Sequence, residues 1–467
     1  MVFSGLTFLF FFLPIVLLLY YAVPAKGKNL IILISGIIFY AWGEPIYIFI
    51  MLLSTAIDYT AGRFIDYFDK DEKKRKIFLL LSVCMNLGLL SIFKYSSFII
   101  GNINGIFGCE IFDPQLPLPI GISFYTFQSM SYTIDLFMRK IKVQKNVVSF
   151  VSFVTLFPQI VAGPIVRYED IAGEIDDRRI TISDVGSGAS IFIKGLAKKV
   201  LLANNIGLVW TEIKAMDYHT LPAVTAWIGI LAFTFQIYFD FSGYSDMAVG
   251  LGKMLGFTFP QNFNHPYISK SVSEFWRRWH ITLGSWFKSY VYIPMGGNRK
   301  GTRRTLINLL VVWALTGLWH GASWNFVLWG LYFGVIIILE RIGLAKLLEK
   351  LPSAVRVAYT FVLVVFGWVL FETATLPDAA AYFGAMFGAG GAFADGYSLY
   401  LLLTNAAVFI LCVAASGELA NRLRQKLSVK FAKPYRYGLP IVQTVLLLVC
   451  TAFLVDATYN PFLYFRF

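Results

Sequence analysis

Residues 77–93 read IFLLLSVCMNLGLLSIF, and residues 6–21 read LTFLFFFLPIVLLLYY. Neither run holds a charged side chain. A membrane β-barrel needs strands of ~10 residues in which apolar and polar positions alternate. These runs are continuous and longer, so they read as helices with the bilayer as their solvent. The whole chain agrees: hydrophobic types make up 57 % of its 467 residues and charged types 14 %, against about 25 % in soluble domains. The expected fold class is an all-α polytopic membrane protein.

Working outward, apolar stretches near the spanning length fall at 4–22, 29–42, 46–66, 77–100, 117–137, 189–210, 222–240, 305–321, 323–344, 354–371, 399–416 and 438–456. This predicts about 11–12 transmembrane helices in one membrane-embedded domain over 1–467. The first run has no Lys or Arg before it and no small-residue cleavage site after it. It reads as a retained helix and not a signal peptide.

The net charge of +13 raises nucleic acid as a partner for a soluble protein, but here it reads as a topology signal. Lys and Arg gather on the cytoplasmic side of membrane proteins. With the N-terminus outside, the outer segments 101–116, 212–221, 372–398 and the tail from Asp456 hold only Lys214 and Arg466 as basic residues. Both termini are therefore expected to be extracytoplasmic. Cys84, Cys109, Cys412 and Cys450 form no Cys-x-x-Cys pair and read as small hydrophobes, with no metal site among them.

Two stretches do not read as plain spans. Residues 149–162 are short and end in Ala162-Gly163-Pro164, so they are expected to be re-entrant. Residues 256–302 are rich in Trp, Arg, His, Pro and Gly. Within them Phe275, Trp279, Leu283, Trp286 and Tyr290 recur at helical spacing opposite Arg277, Arg278 and Lys288, which predicts an amphipathic helix at the interface.

Chemistry-bearing residues are few. His320 lies at a break between two apolar spans, in LTGLWHGASW (315–324). An ionisable residue there is a candidate for function, and imidazole suits proton transfer near neutral pH. Its competing role is helix packing. His280 sits mid-way along the amphipathic stretch, while His219 and His265 occupy polar loops. Asp240 and Asp246, near Gln236 and Tyr238, can bind a metal or pair with Arg277 and Arg278. Arg167, after the broken helix, can meet a phosphate or simply mark the cytoplasmic side. Serine-hydrolase, nucleotide-binding and metalloprotease motifs do not occur.

The run Ser273-Glu274-Phe275-Trp276-Arg277-Arg278-Trp279-His280, continued by Tyr292-Ile293-Pro294-Met295-Gly296-Gly297-Asn298-Arg299, resembles the hallmark of membrane-bound O-acyltransferases. It is most similar to their alginate O-acetyltransferase branch. Phe157 to Arg167, Asp240 to Asp246, Leu318-Trp319-His320-Gly321, Val2-Phe3-Ser4 and Asn460-Pro461-Phe462 fit the same branch, so the resemblance covers nearly the whole chain. Two positions depart from it: Lys288-Ser289, where an Arg-Asp pair is usual, and Phe371-Glu372, where Phe-Arg is common.

The resemblance implies a tunnel fold with a catalytic core at about 117–345. It implies acetyl-CoA as a cytoplasmic donor substrate, with no tightly bound cofactor. The final acceptor would be an exported polysaccharide, reached through an extracytoplasmic partner protein, and the location a bacterial inner membrane. His320 would act as general base, and His280 would hydrogen-bond the thioester oxygen or share the proton, with the roles exchangeable. Arg277, Arg278, Arg167 and Trp276 would hold the donor, with Asp240, Asp246, Gln236 and Tyr238 in support. D-alanyl or other acyl transfer to a cell-envelope polymer, a polytopic transporter, and a scaffold for a secreted partner are the rival readings.

Overall fold

The structure is a computed structural model. It describes the chain except residues 162, 458, 461, 462 and 464–467, and the side chains of 420, 421 and 424. The described residues form helices and connecting segments, with no strand among them. Among the described residues, seven helices are long and apolar enough to cross a bilayer: Ile48–Tyr67, Glu72–Phe107, Ala223–Met254, Trp324–Leu348, Ser353–Glu372, Gly396–Ser416 and Ala432–Asp456.

The other expected spans form helices that are shorter or more polar. Lys28–Ala41 has 14 residues and Ile122–Phe137 has 16. Ile122–Phe137 buries Ser123, Gln128, Ser129, Ser131, Thr133 and Asp135 among its apolar residues. Such a helix faces other helices and not lipid, which lowers its hydropathy. Residues 182–214 are three consecutive helical segments, with the π-helical stretch Lys198–Ala203 in their middle.

The chain forms two compact units, Met1–Phe192 with Ser245–Gln261, and Ile193–Tyr244 with Asn262–Phe467. In the first, Glu72–Phe107 is 36 residues long, about 54 Å at helical rise. Asp71 caps its start by accepting from the Lys74 amide at 3.1 Å, and Gly108 at φ +63° ends it. Polar groups tie it to its neighbours. The Ser82 hydroxyl and the Asn86 amide donate to Asp58 at 2.5 and 2.7 Å, and Ser54 donates to Asn86 at 2.5 Å.

In that unit the stretch expected to be re-entrant is two short helices, Val147–Val154 and Phe157–Ile160. The first spans about 12 Å, far less than the hydrocarbon thickness. Asn146 caps its start, accepting from the amides of Val148 and Ser149. Of the Ala162-Gly163-Pro164 terminus, Ala162 lies outside the described residues.

The second unit contains the hairpin Thr302–His320 and Trp324–Leu339. Its helices meet through glycines. A Cβ on Gly317 would stand 2.2 Å from the Phe326 carbonyl oxygen, and one on Gly330 would stand 2.3 Å from that of Trp313. Only glycine permits this approach. The hairpin thereby places His320 at the last helical residue, beside the turn Gly321-Ala322-Ser323.

Candidate active site

The amphipathic stretch is not one helix. It divides into Val272–Arg278 and Ile281–Phe287, continued by the π-helical Lys288–Tyr292. The break falls at His280, whose φ is +45°. Left-handed backbone is uncommon for a residue with a Cβ, and such a position persists only where its surroundings impose it.

Those surroundings are visible. Asn264 N–H donates to the Arg278 carbonyl at 2.9 Å, and Ile281 N–H donates to the Asn262 carbonyl at 3.0 Å. The first short helix is held from its other end. Glu340 accepts from the amides of Val272 and Ser273 at 2.7 and 2.8 Å and from the Ser273 hydroxyl at 2.6 Å. A buried carboxylate at a helix N-terminus satisfies donors that the helix leaves open.

His280 and His320 are 2 % and 3 % exposed. The Trp319 indole contacts both: its ring lies 5.9 Å from the His280 ring and 4.9 Å from the His320 ring. His320 also packs edge-on against Trp329 at 4.9 Å and Phe371 at 5.4 Å, and His280 against Phe241 at 4.8 Å. The His280 Nδ1 is 3.1 Å from Asn262 Oδ1. Burial pushes the His280 imidazole down to about 3, so the ring is neutral at ordinary pH.

A cavity of about 230 Å³ adjoins His280. One wall is His280, Leu283, Gly284, Phe287, Lys288 and Tyr292, a single face of the broken helix. The facing wall is Leu309, Val312, Trp313 and Thr316 of Thr302–His320. Residue 320 is one helical turn beyond Thr316 on the same stripe. Trp276 and Trp279 complete the lining. The lining is mostly apolar and includes an imidazole, which suits a thioester arm reaching a proton acceptor.

Residues 34–370 match the family described as MBOAT, membrane-bound O-acyltransferase family. The chain belongs to the membrane-bound O-acyltransferases. Relatives agree with this. The chain is 42 % identical over 395 residues to "Probable alginate O-acetylase AlgI" of Pseudomonas putida, covering 84 % of this chain and 81 % of the relative. It is 41 % identical over 394 residues to the protein of that name from Azotobacter vinelandii, with 84 % and 79 % covered. It is 33 % identical over 427 residues to the peptidoglycan O-acetyltransferase of Helicobacter pylori, with 84 % and 80 % covered.

Within the acyltransferase, the expected donor residues separate. Trp276 lines the cavity and packs against Trp313 at 4.8 Å and Phe333 at 4.9 Å. Arg277 is exposed. Arg278 is engaged by Glu274 at 2.8 Å and by the Asn264 carbonyl at 3.2 Å. Arg167 belongs to the first unit and pairs with Asp170 at 2.7 Å and Glu169 at 3.5 Å.

The carboxylates require a correction. Asp240 pairs with Lys199 at 2.6 Å, both 2 % exposed, and accepts from the Leu463 amide at 2.9 Å. It does not hold Arg277 or Arg278. A buried carboxylate takes the cation nearest in the packed core, and Lys199 lies on an adjoining helix. Asp246 belongs to the first unit. Gln236 donates to the Tyr459 hydroxyl at 3.2 Å, and Tyr238 packs edge-on against Tyr267 at 5.1 Å.

The two departures from the family pattern also find places. Lys288 lines the cavity. Glu372 is buried, accepting from Trp210 Nε1 at 3.0 Å and from Lys214 at 2.5 Å. Sequence reasoning missed Asn262, Glu340 and Phe371. Their only signal is a polar residue or ring in an apolar neighbourhood, since each partner lies many residues away.

Proposed function

We propose that this acyltransferase passes an acetyl group from cytoplasmic acetyl-CoA to hydroxyl groups of an exported polysaccharide, with an extracytoplasmic partner protein completing the transfer. One observation carries the reading: a mostly apolar cavity is bordered by His280 and, on Thr302–His320, by Leu309, Val312, Trp313 and Thr316, the last of these one helical turn before His320. The relatives named for alginate and peptidoglycan acetylation support both the acetyl group and the polysaccharide. The scarcity of basic residues in the segments read as outer supports a cytoplasmic entry for the donor and extracytoplasmic termini in a bacterial inner membrane.

In this scheme the acceptor hydroxyl gives its proton to His320 and its oxygen attacks the thioester carbonyl. The C–S bond breaks, the thiolate leaves and recovers the proton, and an ester and free thiol result. Positioned proton transfer of this kind contributes about 10²–10⁴-fold. Arg277, exposed at the end of its short helix, meets the donor's phosphates.

Purified protein supplied with radiolabelled acetyl-CoA, the polysaccharide and the extracytoplasmic partner tests the reading. Label is expected in alkali-labile ester, and His320→Ala is expected to remove it while the protein stays folded in detergent. Full esterification by that variant, or transfer from an acyl carrier protein but not from acetyl-CoA, contradicts it.

A further inference from the structure

We propose that Asn262 is a positioning residue that fixes His280 in the tautomer carrying its proton on Nδ1. The inference rests on the reading that His280 takes part in acyl transfer, and it decides which of two roles His280 can fill.

Three groups converge on Asn262 Oδ1: His280 Nδ1 at 3.1 Å, the Thr282 hydroxyl at 2.9 Å and the Thr282 main-chain N–H at 3.3 Å. The amide orientation follows from the last of these. A main-chain N–H only donates, so the atom facing it must be the oxygen; a flipped amide would set two donors against each other. With Oδ1 as acceptor, His280 Nδ1 must be the donor. The ring is neutral, so it carries one proton, and that proton is on Nδ1. The lone pair is then on Nε2.

Asn262 can hold this arrangement because it is itself fixed. It is 2 % exposed, and its carbonyl accepts from Ile281 N–H at 3.0 Å, immediately after the histidine. The same pairing holds His280 at φ +45°. Side chain and backbone of one asparagine thus set both the tautomer and the direction of the imidazole. The consequence concerns the chemistry. A neutral ring with its lone pair on Nε2 accepts a proton and donates nothing from that atom. His280 therefore shares the hydroxyl proton with His320 and does not hydrogen-bond the thioester oxygen.

Nitrogen-15 solid-state NMR of ring-labelled histidine in the unaltered protein reads the tautomer directly. There are four histidines, so His280 is assigned by its loss in His280→Gln. A protonated Nδ1 and bare Nε2 are expected; a protonated Nε2 overturns the proposal. Turnover gives a second arm. Asn262→Asp retains an acceptor and is expected to keep the Nδ1 proton and activity within about tenfold. Asn262→Leu is expected to lower kcat about 10²-fold with the donor KM little changed, as for an interaction made in the transition state. Full activity and an unchanged tautomer in Asn262→Leu would refute it.

If Asn262→Leu fails to fold, the spectrum of the unaltered protein still decides. Wild-type activity in His280→Gln would instead defeat the reading beneath the proposal. An inactive His280→Gln with a protonated Nε2 would defeat the Asn262 assignment alone.

Discussion

The chain breaks its helices at two comparable places, and the breaks end differently. In the first unit, Val147–Val154 gives way to Phe157–Ile160. Every residue from Ser152 to Ile160 is buried. Phe157 packs against Phe12 at 5.5 Å and Phe39 at 5.7 Å, and the Gln159 amide donates to the Phe153 carbonyl at 2.6 Å. That break is filled by packing. In the second unit, the break at His280 borders a cavity. Both carry buried polar groups, so burial of polarity does not by itself mark chemistry. The histidine break leaves room beside its polar group.

The largest effects should separate these regions. His320→Ala and His280→Ala are each expected to lower turnover by about 10²–10⁴-fold, measured per folded molecule. Phe157→Ala is expected to reduce stability by about 3–5 kcal/mol, read as a lower thermal midpoint in detergent, with turnover of the surviving protein unchanged. Comparable turnover losses at both breaks would erase the distinction.

A smaller effect sharpens the cavity's role. A Cβ at Gly284 meets nothing closer than 3.9 Å, so Gly284→Leu fits sterically but fills the space. It is expected to lower kcat/KM for the donor at least about tenfold, the effect of losing ~1.4 kcal/mol of binding, with little change in thermal midpoint. Smaller still, Arg277→Gln should raise donor KM about fivefold, as for an exposed charge pair worth up to ~1 kcal/mol, and the difference should shrink at high salt. Arg278→Gln should change KM less, because Glu274 already engages that guanidinium.

The smallest effect is a control. His265 also has a left-handed backbone, at φ +46°, but its Nδ1 meets the Ser416 carbonyl at 3.2 Å, and it does not line the cavity. Asn tolerates that conformation. His265→Asn should leave turnover within about twofold, a ΔΔG‡ of ~0.4 kcal/mol.

Much of this was legible in the sequence, for physical reasons. Continuous apolar runs fix helices in a bilayer, and the block at 273–300 identifies the family. His280, His320 and Trp276 stand out because polar or bulky residues recur in a short local pattern. The remaining features depend on partners distant in sequence. Glu340 caps a helix 67 and 68 residues before it. Asp240 finds Lys199 and not the nearby arginines. The periodicity of Phe275 to Tyr290 ran through His280 unbroken, because side-chain spacing does not report a single left-handed residue. Hydropathy likewise does not report which apolar helices are wrapped by others: Ile122–Phe137 reads as a plain apolar span but buries Ser123, Gln128, Ser129, Ser131, Thr133 and Asp135 against protein.

The most direct test of the contrast between the two breaks is a structure with a non-hydrolysable ketone analogue of acetyl-CoA. The account predicts the analogue's carbonyl in the cavity between Gly284 and Thr316, on the side that His280 borders, with its oxygen making no hydrogen bond to His280. A carbonyl seated instead beside Phe157 to Arg167, with the cavity vacant, would contradict it.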